Sequence, residues 1–200
     1  MTTSSPIPDR SSLIQFIRNT IPIDETKALA IANEFSPRQL SKGDIFLKEG
    51  KVSDEYLFLE TGFLRSYLFD TEGNEVTINL SPPNSIVFEM ASFFQRVPAQ
   101  ENIEALTAST GWVLSYAQLN NLFHALPEFR DFGRAVLVKG FIAFNQRTIS
   151  LINRTAEQRY ESLLKSSPQI FQYSPLKYIA SYLGITDSSL SRIRKEFSKK

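Results

Sequence analysis

The side chains whose types and spacing could do chemistry lie near the end of the chain, at Thr186, Asp187, Ser188, Ser189, Ser191, Arg192 and Lys195. Hydroxyls, a carboxylate and cations crowded into one short stretch suit hydrogen bonding to base edges and pairing with phosphates. Leu190 and Ile193 share the same stretch at a spacing of three, so one face of a helix can turn inward while the polar set turns out. Arg192 is the side chain best suited to read a base, most plausibly guanine, with the serines supplementing it. Arg194, Lys195 and Lys177 suit phosphates.

Other chemistry is thinly represented. The chain has no cysteine, which excludes disulfides, thiol nucleophiles, cysteine-held zinc and iron–sulfur clusters. Its one histidine, His124, has no partner in the sequence with metal-ligand spacing and reads as a packing or helix-end residue. There is no phosphate-cradling glycine loop. Glu101 and Glu104 are paired acids along a strand, the ordinary pattern of a solvated edge. Nothing here suggests catalysis, and no cofactor or metal is expected.

Two helical patterns position the terminal cluster. Leu176, Ile179, Ala180 and Leu183 follow the i, i+3, i+4, i+7 spacing of an amphipathic helix. Gly184 follows, suited to the left-handed turn that ends a helix. Thr186 or Asp187 can cap the next one. Ile179, Leu183, Ile185, Leu190 and Ile193 can then close a small core between two crossed helices, with Ala180 allowing close approach. This is a helix-turn-helix pattern, although two short helices can also pack in an unrelated helical domain.

Charge distribution supports the first alternative. Net charge is only +1, but residues 159–200 carry +5 and the remaining 158 residues carry −4. A basic end on an acidic body fits a nucleic-acid-binding head on a separate scaffold. An apolar content of 42% supports a full core. No run approaches the roughly 18 apolar residues of a membrane span, and no signal peptide is evident, so a cytoplasmic location without membrane contact is expected.

Upstream, Leu13, Ile14, Phe16, Ile17 and Ile21 predict a helix. A second is predicted from an Asp24 cap, with Leu29, Ala32 and Phe35 inward and Pro37 ending it. From Ser41 to Tyr116 short apolar runs alternate with glycine turns, the pattern of an all-β barrel or roll, with a short helix near Phe88–Phe94. A brief helix over Ala117–Leu126 precedes a long one over 128–153 that is apolar on nearly every side. Such a helix must cover the β domain with one face and something else with another, most economically a second copy of itself through Val136, Phe141 and Phe144. Thr155 opens a further helix with Tyr160, Leu163 and Leu164 inward.

This order resembles the cyclic-AMP receptor protein/fumarate-nitrate regulator (Crp/Fnr) family of transcription factors. The resemblance is carried by Lys42-Gly43-Asp44-Ile45-Phe46-Leu47-Lys48-Glu49-Gly50, by Tyr56-Leu57-Phe58-Leu59-Glu60-Thr61-Gly62, and by the two terminal helices, Ile179–Thr186 and Leu190–Lys195. It implies an α+β fold in three parts. Residues 1–127 would hold N-terminal helices and a cyclic-nucleotide-binding-like β-roll, 128–153 a dimerisation helix, and 154–200 a winged-helix-like helix-turn-helix with a reduced wing. It also implies double-stranded DNA as partner, action as a homodimer, and RNA polymerase and an unidentified small-molecule effector as further candidate partners. Family members that bind cyclic AMP hold its phosphate with an Arg-Ser or Arg-Thr pair and its ribose with the Glu of a Gly-Glu pair. Here the corresponding positions are Phe88 and Glu89, then Ala99, Gln100 and Glu101. Glu89 matches, but no cation stands where the phosphate would lie, so a degenerate effector pocket is expected. Arg96 is the one nearby cation that could substitute. At the DNA face Asp187 and Ser188 replace the relatives' Arg and Glu, while Arg192 matches. The alternative is a metabolite- or nucleotide-binding sensor module whose terminal hairpin serves protein contacts.

Overall fold

The stretch Tyr56-Leu57-Phe58-Leu59 is apolar at every position because its strand is covered on both sides. Residues 9–198 are described by the computed structural model. Within it β3 (Glu55–Thr61) sends Leu57 and Leu59 into the interior of a roll and Tyr56 and Phe58 to the opposite side, under helices. Two helices form that cover at the N-terminus, α1 (Ser11–Thr20) and α2 (Glu25–Asn33), the latter capped by Asp24, whose carboxylate accepts from the Lys27 N–H at 2.9 Å. The buried face of α2 is Ala28, Ile31 and Ala32. Leu29, expected inward, is largely exposed.

The roll comprises two four-stranded antiparallel sheets. One runs in the order β1 (Ser36–Leu40), β8 (Ser109–Ser115), β3, β6 (Ser85–Val87). The other runs β2 (Ile45–Leu47), β7 (Asn102–Ala105), β4 (Leu64–Phe69), β5 (Glu75–Ser81). Leu40, Leu47, Leu57, Leu59, Leu64, Val87, Ile103 and Val113 fill the space between them. Strand β1 contains Pro37, which therefore lies in a strand and does not end the preceding helix. It is tolerated because β1 is an edge, where a missing N–H costs no ladder bond.

Between β6 and β7 lies the short helix α3 (Met90–Gln95). After β8 come α4 (Tyr116–Ala125) and the 27-residue α5 (Pro127–Asn153), with Pro127 in its first turn, where its missing N–H is harmless. Gly133 of α5 faces the Phe123 ring of α4 so closely that a side chain there would collide with it. The chain ends in α6 (Ala156–Ser166), α7 (Ile170–Tyr173), α8 (Leu176–Leu183) and α9 (Asp187–Phe197). Tyr160 and Leu163 of α6 are buried, whereas Leu164, expected inward, is more exposed. The single turn α7 had no signature in the sequence.

Candidate nucleic-acid interface

Helix α8 ends at Gly184, whose φ of +67° is the left-handed conformation expected there. The Ile185 N–H reaches back to the Ala180 carbonyl at 3.0 Å, closing the turn. Thr186, of the two candidates, is the cap of α9: its hydroxyl accepts from the Ser189 N–H at 3.3 Å. Leu190 and Ile193 are buried with Ile179, Ala180 and Leu183, so the outward face follows from their spacing. Asp187, Ser188, Ser191, Arg192 and Lys195 are exposed on that face together with Thr186, and Ser189 is half-buried beside them. Neither Arg192 nor Lys195 forms a hydrogen bond or ion pair within the described residues. The Glu157 carboxyl at the start of α6 is held below its usual range by its own backbone N–H and by Thr155, with Arg192 and Arg159 adding to the effect. This puts Arg192 within electrostatic reach of that acid.

Two arginines fasten this head to the helices before it. Arg147 of α5 donates to the Tyr182 carbonyl at 3.0 Å and Arg159 of α6 donates to the Leu183 carbonyl at 2.9 Å. Both meet the C-terminal end of α8, where carbonyls lack helical partners and the dipole favours cations. The roll holds the opposite side. The Ser181 hydroxyl accepts from the Thr77 N–H at 2.8 Å, and Phe63 stacks on Tyr173 with ring centres 4.8 Å apart. Between these contacts lies Arg65 of β4, 1% exposed. Its guanidinium donates to Thr77 Oγ1 at 2.9 Å, Glu75 at 2.7 Å and Glu104 at 3.1 Å, and lies 3.6 Å over the Tyr178 ring of α8. The Tyr67 phenol beside it is raised above its usual pKa by burial, with the Glu104 and Glu75 charges adding. Glu104 is therefore part of a half-buried ion-pair cluster and not the solvated edge acid its sequence position implies. Arg65 and Tyr178 carried no sequence signal beyond a cation inside an otherwise apolar strand.

In the roll, the residues at the cyclic-nucleotide positions are occupied by structural contacts. Phe88 packs among Tyr56, Phe93 and Phe94. Glu89 caps α3, accepting from the Ala91 and Ser92 N–H groups at 3.1 and 2.7 Å. Ala99 is buried and its backbone pairs with Gly50 and Lys51, while Gln100 is exposed. Burial pushes the Glu101 carboxyl up to about 7, and the nearby Glu89 charge adds to the shift. Two carboxylates thus stand together with no cation between them. Arg96, the candidate substitute, is engaged elsewhere. It donates to the Ser53 carbonyl at 2.8 Å and Asp54 at 2.6 Å and covers the Tyr116 ring. His124 is exposed near the end of α4, and no cluster of metal-ligating side chains exists among the described residues. On α5, Val136 packs against the roll, while Phe141 and Phe144 are exposed.

Residues 37–125 match the cyclic nucleotide-binding domain family. No curated protein sequence matches the chain. Among solved structures it is similar to FixK2 from Bradyrhizobium japonicum, at 15% identity and a TM-score of 0.68 over 82% of this chain and 85% of that one. It is also similar to the c-di-GMP-responsive global regulator CLP from Xanthomonas campestris, at 14% identity and a TM-score of 0.68 over 88% and 92%. A third structure, from Eubacterium rectale and described as a transcriptional regulator of the Crp/Fnr family, matches at 16% identity and a TM-score of 0.65 over 90% and 88%. The fold is that of the Crp/Fnr regulators. The Crp/Fnr fold accounts for the whole element order, from N-terminal helices through roll and α5 to the helix-turn-helix. No helix among the described residues is long and apolar enough to cross a membrane.

Proposed function

We propose that this chain is a homodimeric, sequence-specific DNA-binding transcriptional regulator whose roll does not take cyclic AMP in the family's usual manner. The observation that carries the reading is the surface of α9, where Arg192, Lys195 and three hydroxyls face solvent and neither cation forms an ion pair among the described residues. A helix presented this way enters a major groove by its N-terminal half, with Arg192 reaching a guanine edge and Lys195 a phosphate. Two heads carried by paired α5 helices would read half-sites about 34 Å apart on a partly palindromic site. For the roll, the support is the carboxylate pair Glu89 and Glu101 in place of a cation, with the α3 amides already satisfied by Glu89. An anionic phosphate would be repelled there.

The test is selection from a randomised duplex library by the full chain with no ligand added, followed by sequencing of the retained DNA. An enriched inverted repeat is expected. Retention without enrichment would reduce α9 to a general phosphate-binding surface and overturn sequence-specific reading. RNA polymerase contact and any effector are not required for this result.

A further inference from the structure

Helix α5 is apolar around most of its circumference, and the protomer uses only one side of it. Phe129, Phe132 and Gly133 are buried against the roll, and Arg147 and Leu151 face the helical head. At 100° per residue these lie on one side. The opposite side carries Val138, Ile142, Asn145, Ile149 and Ile152, at alternating spacings of four and three. That is an unbroken heptad seam, with Ile142 and Ile149 at one inward position and Val138, Asn145 and Ile152 at the other, the geometry by which helices pack along their length. Its side chains are open: Ile152 is 82% exposed, and Phe141, which flanks the seam, 66%. The only charged residues between 135 and 153 are Lys139 and Arg147, and both lie off the seam.

We propose that Asn145 sets the register and orientation of a parallel pairing between two copies of α5. The inference rests on the homodimer reading and adds which surface pairs and how. Asn145 is the single polar side chain in the seam, it is exposed, and its carboxamide makes no hydrogen bond among the described residues. A carboxamide is both donor and acceptor, so it is satisfied by an identical group across a two-fold axis. In a parallel, in-register pair each seam residue meets its own copy. A slip of one heptad would bury Asn145 against Val138 or Ile152, and an antiparallel pair would bury it against isoleucine, leaving its polar atoms unpaired. This self-complementarity points to a second copy and not to another protein. So does area: Val138, Phe141, Ile142, Ile149 and Ile152, the large apolar side chains exposed on this side of α5, amount to about three whole residues, on the order of 450–600 Å² at ~150–200 Å² each. That is more than half of the roughly 800 Å² per partner of a stable interface.

The chain lacks cysteine, so single introduced cysteines report pairing cleanly. Val138→Cys and Ile152→Cys are each made in the full chain, oxidised alone and in mixture, and sized by sedimentation before oxidation. A dimer is expected, with each variant linking to itself and no link between position 138 and position 152. In an Asn145→Leu background the single dimer mass should give way to higher oligomers or to links between different positions. A monomer at all concentrations would overturn the dimer reading beneath the proposal. Linkage of position 138 to position 152 would overturn the parallel arrangement. An unchanged mass and linkage pattern in Asn145→Leu would overturn the role of Asn145 alone. Because Asn145 is exposed and makes no hydrogen bond among the described residues, the variant should keep the protomer's fold, and circular dichroism checks this.

Discussion

The contact between Arg65 and Tyr178 joins the roll to the C-terminal helical head, and a double-mutant cycle measures the coupling. Arg65→Met removes a buried cation that bonds Thr77, Glu75 and Glu104. Removing one partner of a buried pair costs about 3–5 kcal/mol. Here Glu75 and Glu104 keep side-chain exposures of 41% and 18%, so water recovers part of their solvation and about 2–3 kcal/mol is expected. Tyr178→Leu keeps most of the apolar volume of α8 but removes the ring 3.6 Å beneath the guanidinium. A desolvated cation–π contact contributes up to about 2 kcal/mol, so the two substitutions together should cost about 1–2 kcal/mol less than the sum of the singles. Urea unfolding at 25 °C of wild type, both single variants and the double variant provides the four free energies. The Arg65→Met variant should also bind its DNA site more weakly, since α9 is carried by the same head that Arg65 anchors. Additivity within about 0.5 kcal/mol would refute the coupling. The head would then be held by Arg147 and Arg159 without help from the roll.

Three further outcomes are expected. Arg192→Ala should relax base preference at one position of the selected site, whereas Lys195→Ala should weaken all sequences alike and reduce the salt slope by about 1; filter binding across salt concentrations separates them. Gly184→Ala should cost about 1–2 kcal/mol by urea unfolding because of its positive φ, since the added methyl would sit 3.4 Å from Leu151 in ordinary contact; Gly184→Asn should recover part of the loss. Glu101 has a folded pKa of about 7 against 4.5 unfolded, so the folded state holds a proton the unfolded state has released and stability falls as pH rises from about 4.5 to 7. Glu101→Gln should flatten that window and stabilise the protein above pH 7 by on the order of 2–3 kcal/mol, and thermal melts at pH 5 and pH 8 would reveal an unchanged slope if the assignment is wrong.

The sequence alone determined the features set by short-range geometry. The spacing of Ile179, Ala180, Leu183, Leu190 and Ile193 around a left-handed glycine defines the helix-turn-helix and, by exclusion, the outward face at Thr186, Ser188, Arg192 and Lys195. Asp24 and Thr155 marked helix starts because caps act within one turn. The absence of a cation at Ala99, Gln100 and Glu101 is likewise a matter of residue type alone.

Tertiary structure decided whatever depends on residues far apart in sequence. Thr77 is completely buried although Val76, Ile78 and Leu80 carry the apolar alternation, because α8 docks over β5 and a bulge beside Tyr67 shifts the register there. Pro37 lies in a strand because β8, more than seventy residues on, pairs with its edge. Arg65 is buried because Glu75 and Thr77 of β5, Glu104 of β7 and Tyr178 of α8 converge on it from three elements. Most of all, α5 carries apolar residues on nearly every side, so periodicity alone assigns it no inward face. Only the positions of the roll and the head claim Val136 for the protomer and leave Val138, Ile142, Asn145, Ile149 and Ile152 in the open. The physical reason is common to all of these. Local backbone preferences are written in neighbouring residues, whereas burial is a property of surfaces that meet only after the chain has folded.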